Sequence, residues 1–82
     1  GGFCGIFQQN NLREMWPEIA GKVIAAHSKV VRVKDSMLLI AADNFTIKKE
    51  ILNRADDILL TIEQCGGGTN IRDLQVFLKK PQ

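Results

Sequence analysis

Leu12, Trp16, Ile19, Val23 and His27 recur at intervals of three or four, the spacing of one helical stripe turned towards a core. Pro17 follows Trp16 directly, and proline is comfortable only in a first helical turn. Two helical segments are therefore expected, one from about Gly5 to Met15 and one from Pro17 to about His27. Gly21 falls inside the second, where glycine costs about 0.5 to 1 kcal/mol relative to alanine. At about 100° per residue, Gly21 lies opposite the apolar stripe, with Ala25 one turn further on the same outer side. Small residues four apart let another backbone come close, which marks Gly21 and Ala25 as a protein-contact seam.

The run KVVRVKDSMLLIAA changes the period to two on either side of Asp35 and Ser36, the pattern of an antiparallel hairpin with a two-residue turn. Straight alternation pairs Val33 with Leu38 and Val31 with Ile40 on the core side. Lys34 with Met37 and Arg32 with Leu39 then fall on the other side, a mixture of cations and apolar surface.

Asp43 or Asn44 is placed as an N-cap, after which Ile47, Ile51, Ala55, Ile58 and Ile62 keep helical spacing as far as the break CGGGTN. Lys49, Asn53 and Asp56 lie on the opposite side, and Leu60 is out of register with the stripe. IRDLQVFL closes the pattern as a strand in which Leu74, Val76 and Leu78 alternate with Asp73, Gln75 and Phe77. The order α-β-β-α-β predicts an α+β fold, a three-stranded sheet with helices packed on one face. The open face would carry Arg32, Lys34, Met37, Leu39 and Phe77.

Eighty-two residues with 45% hydrophobic positions allow a single small domain spanning 1–82. Within it, residues 1–4 are read as an expression remnant or unstructured, and 79–82 as a tail. No apolar run reaches the roughly 20 residues of a membrane span, and no signal-peptide pattern opens the chain, so it is expected to be cytoplasmic. Cys4 and Cys65 have no CxxC or histidine partners, which predicts two reduced thiols, no metal and no cofactor.

The candidates for chemistry are few. His27 and Ser28 are adjacent near a helix end, where side chains do not face each other, and no carboxylate is set by sequence to orient the ring. Asp56 and Asp57 diverge by about 100° on one helix. GGGTN lacks the lysine of a phosphate-binding loop and leads into a strand. No covalent, metal or acid-base constellation remains.

Charge points elsewhere. The formal net charge is only +2, but from Ile19 through Lys34 the charged residues are Lys22, Lys29, Arg32 and Lys34 alone. With Lys48 and Lys49 these six are the candidate nucleic-acid contacts, and Phe77 offers a stacking surface beside Arg32 on the open face. The competing reading buries Met37, Leu39 and Phe77 in a homodimer through that face, with no nucleic acid involved.

The pattern Trp16, Gly21 and His27, then IAAHS, a basic hairpin and IKKEI leading into a long helix, resembles the DciA family of bacterial replicative-helicase loaders. The likeness runs from about Gly5 to Leu78. It implies a KH-like domain without catalytic activity of its own, which binds single-stranded or tailed DNA and assists loading of the replicative DNA helicase. Two departures from expectation stand out: the family's usual hairpin turn is Asp-Gly where this chain has Asp35-Ser36, and the GxxG loop of true KH domains is absent.

Overall fold

The computed structural model describes residues 9–65 and 71–79. The expectations for Cys4, the side chain of Cys65, the start of the first helix near Gly5, the glycine-rich break and the tail from residue 80 lie outside these residues. In chain order the elements are α1 (Gln9–Ala20), α2 (Lys22–Ala26), β1 (Ser28–Lys34), β2 (Met37–Ala42), α3 (Phe45–Asn53), α4 (Ala55–Cys65) and β3 (Asp73–Leu78). The class is α+β; the first helical region breaks at Gly21 and not at Pro17, and the second, expected as one helix, is divided at Arg54.

Pro17 does not start a helix; it lies inside α1. Its missing N–H deprives the Arg13 carbonyl of an intrahelical donor, at a cost on the order of 3 kcal/mol. Burial of Leu12 and Trp16, 0% and 2% exposed, outweighs this at about 1.5 to 3 kcal/mol for each large side chain. The break comes instead at Gly21, with φ 95° and ψ 152°, a conformation that belongs to glycine. Its N–H still donates to the Pro17 carbonyl at 3.0 Å, closing α1, and its carbonyl accepts from Ala25 at 2.9 Å, opening α2. The change of direction turns Ile24 inward and leaves Val23 73% exposed, so the expected stripe through Val23 and His27 does not form.

In the second helical region the isoleucine stripe holds: Ile47, Ile51, Ile58 and Ile62 are all buried. Asn44 is the cap, its Oδ1 accepting from the Ile47 N–H at 2.9 Å. At Arg54 the backbone N–H is shared between the Glu50 and Ile51 carbonyls, and α4 begins beyond it with Asp56 and Asp57 in the first turn, where the helix dipole favours anions.

The sheet order is β1-β2-β3, with β1 antiparallel and β3 parallel to the central β2. Asp35 and Ser36 have φ of 52° and 65°, the two positive values of a type I′ hairpin turn. Val33 pairs with Leu38, Arg32 with Leu39 and Lys34 with Met37, as alternation predicts. The expected Val31–Ile40 pair is corrected to Val30–Ile40, because a bulge lies between Val30 and Arg32. Val30, Leu38, Ile40, Ala42, Leu74 and Val76 share one buried cluster with residues from all four helices. The helices therefore cover one face of the sheet. The third inward position expected on β3, Leu78, is 45% exposed at the strand's end.

Candidate nucleic-acid interface

Among the described residues the other face of the sheet is bare, and its make-up follows from the register. Leu39 lies between the core residues Leu38 and Ile40, so its side chain points away from the helices, and its partners Arg32 and Gln75 point with it. The row above is Lys34, Met37 and Asp73; the row below is Lys29, Ala41 and Phe77. Lys29, Arg32 and Lys34 thus stand on one face, successive members about 7 Å apart as measured along the paired strand. All three are exposed and Met37 and Leu39 are half-buried; Phe77, 42% exposed, is not beside Arg32 as expected but on the far strand in the row of Lys29, because β2 lies between β1 and β3. Three cations face one carboxylate, Asp73, whose Oδ1 accepts from the Leu74 N–H at 2.8 Å. Among the described residues none of the three cations is in an ion pair.

The bulge is what unites this row. In a straight strand Lys29 would share a side with Val31 and Val33, opposite Arg32 and Lys34. The extra residue at Val31 reverses the alternation between Lys29 and Arg32. Straight alternation accordingly puts Val31 in the core, where the structure instead has Val30, 5% exposed.

The other expected contacts are elsewhere. Lys48 is half-buried and Lys49 exposed on α3, in the layer that covers the opposite face of the sheet. Lys22 opens α2 and lines a hollow with Gly21, Val23, Glu50 and Arg54. Arg54 is 3.9 Å from Glu50. Among the described residues a methyl group at Gly21 would meet nothing within 4 Å, so the glycine answers to its backbone angle and not to a close neighbour there. Ala25 is half-buried beside Arg13, Trp16, Pro17 and Ser28 in a second hollow along β1.

His27 and Ser28 do not face each other. The Ser28 hydroxyl donates to the Ile24 carbonyl at 2.6 Å and accepts from Trp16 Nε1 at 2.9 Å. His27 does acquire a carboxylate that sequence proximity hides: Asp43 Oδ2 is 3.6 Å from its Nδ1, at the open end of the hairpin where the Asp43 N–H donates to the His27 carbonyl. Both side chains are well exposed, 54% and 43%, and the neighbouring hydroxyl points the other way, so the arrangement is a surface pair. Among the described residues no group of histidine, cysteine and carboxylate side chains is placed to hold a metal, and no helix is long and apolar enough to cross a membrane.

Arg13 is the residue that sequence reasoning passed over. Its Nε donates to the Val30 carbonyl at 3.3 Å and its Nη2 to the Val31 carbonyl, seventeen and eighteen positions away. The only signal in the chain is its place beside Leu12 and one turn before Trp16, on the margin of the buried stripe.

The family model described as Dna[CI] antecedent, DciA, matches residues 2–76. No curated protein matches the chain.

Proposed function

This chain belongs to the DciA family, which is known in the context of replicative-helicase loading, and from that premise we propose that it is a non-catalytic DNA-binding adaptor that assists loading of the replicative DNA helicase. The observation that carries the reading is the bare sheet face, where Lys29, Arg32 and Lys34 form a row beside Met37 and Leu39, with Phe77 across the sheet. Phosphates meet the cations along β1, and bases lie over the apolar centre towards the Phe77 ring. A single strand suits such a face better than a duplex, because its bases are free to stack. Lys22, Lys48 and Lys49 contribute long-range attraction from the helical layer. Helicase contact falls to that layer too, where Gly21, Ala25 and the exposed Val23 lie near the break between α1 and α2.

Fluorescence anisotropy with a labelled oligothymidine tests the DNA reading. Three phosphate contacts to a single strand give a logarithmic salt slope near −2, or roughly twentyfold weaker binding between 50 and 200 mM salt. The triple variant Lys29→Glu, Arg32→Glu, Lys34→Glu is expected to abolish binding while remaining folded, whereas Lys48→Glu, Lys49→Glu weakens it only mildly. Equal loss in both variants would move the contact off the sheet face. No binding by the unaltered protein at low salt would remove DNA from this domain. A helicase pull-down with Val23→Asp reads the second surface, and undiminished capture would place that contact elsewhere.

A further inference from the structure

We propose that Arg13 is a positioning residue for the cationic row: its guanidinium holds the bulge at Val31, and the bulge brings Lys29 onto the face that carries Arg32 and Lys34. The role rests on the DNA-binding reading of that face, but its structural half stands independently of it.

Successive carbonyls of a regular strand point to opposite sides, one into the ladder and one away from it. A single side chain reaching the carbonyls of both Val30 and Val31 therefore requires the rotated peptide of a bulge, and Arg13 does reach both. These carbonyls belong to the edge strand, so β2 cannot satisfy them both, and the guanidinium fork supplies two donors from one rigid plane. Arg13 is anchored in turn, since its neighbours Leu12 and Trp16 are almost fully buried and the Trp16 indole is tied to Ser28 at the start of the same strand. The helix and the first half of β1 are thus pinned on both sides of Lys29. Two of the five N–H donors of Arg13 are spent on backbone oxygens, and its proposed part in binding is positional. It acts through Lys29.

The test uses Arg13→Lys and Arg13→Gln. Lysine keeps the charge but loses the fork; glutamine loses both. Two-dimensional NMR of the free proteins follows the cross-strand contacts Val30–Ile40 and Arg32–Leu39, and anisotropy with oligothymidine follows affinity and salt slope. Both variants are expected to lose or broaden the Val30–Ile40 contact while Val33–Leu38 persists. The lysine variant, with formal charge unchanged, is expected to lose about 0.7 of a unit of salt slope and on the order of fivefold in affinity, as if one phosphate contact had gone. Full retention of binding by Arg13→Lys overturns the role and makes Arg13 an ordinary cation; so does an altered register with unchanged binding. An unaltered register in both variants overturns the clamp itself. Failure of the unaltered protein to bind DNA would sink the reading of the face, while the register arm would still decide the clamp. Should neither variant fold, the Arg13 Nε proton of the unaltered protein decides: slow exchange and cross-relaxation to the Val30–Val31 peptide support the clamp, and rapid exchange without cross-relaxation overturns it.

Discussion

The indole Nε1 of Trp16 donates to the Ser28 hydroxyl at 2.9 Å, joining the middle of α1 to the first residue of β1 across the break at Gly21. Because the Ser28 hydroxyl itself donates a hydrogen bond to the Ile24 carbonyl, it fastens α1, α2 and β1 together.

Ser28→Ala removes the acceptor of an indole N–H whose residue is 2% exposed. An unsatisfied buried donor costs about 1 to 3 kcal/mol, so the urea midpoint is expected to fall with the slope unchanged. Trp16 fluorescence, from the one tryptophan in the chain, follows the transition directly. A midpoint equal to that of the unaltered protein would mean the hydroxyl has no part in holding the two elements.

Gly21→Ala is expected to destabilise the protein by about 1 to 3 kcal/mol, although alanine is the better helix former. The space for a methyl group is open, so the whole effect comes from φ of 95°. Thermal unfolding by circular dichroism measures it. A rise in midpoint would show that the helix runs on through residue 21.

At the hairpin the opposite substitution is favourable. Ser36 holds φ of 65°, which costs an L-residue about 1 to 2 kcal/mol, partly offset by the greater chain entropy of glycine. Ser36→Gly is therefore expected to stabilise the fold by about 0.5 to 1 kcal/mol, read as a higher denaturant midpoint. No gain would mean the turn differs from type I′.

Leu39→Asp distinguishes DNA binding from self-association at the sheet face. Stacking two such faces would crowd three cations from each copy, a repulsive arrangement, so sedimentation velocity is expected to show the same monomer before and after substitution. Oligothymidine binding is expected to weaken, because the new carboxylate sits beside Arg32. A dimer that dissociates on substitution would assign the face to homodimerisation.

Much of this architecture is legible in the chain because burial imposes a period. Ile47, Ile51, Ile58 and Ile62 mark their helical region even though Arg54 divides it, since both halves present the same stripe to the same sheet. Asn44 declares itself as a cap, and Asp35-Ser36 as a two-residue turn. The misses share a cause. Pro17 lies within a helix because buried neighbours outweigh its local cost, Gly21 turns the chain where a periodic reading carries straight on, and Val31 adds one residue to a strand without changing its composition. Each is a departure from a repeat, and a repeat is what pattern reading assumes. For the site, Arg32, Lys34, Leu39 and Phe77 come out together by alternation alone. Lys29 joins them only through the bulge, and Arg13 meets the strand across seventeen residues that only the fold brings together.

The parallel register that seats Asp73 against Met37 spans thirty-six positions and has a bearing on the order of assembly. The hairpin closes through a two-residue turn on a microsecond scale, whereas β3 pairs only after α3 and α4 have been laid between it and its partner. Until then β2 keeps an open edge, and Leu38 and Ile40 lack the cover of Leu74 and Val76. During synthesis on the ribosome β1 and β2 emerge before β3, so the chain passes through a stage in which the β2 edge has no partner, and an unpaired edge is a template for mispairing.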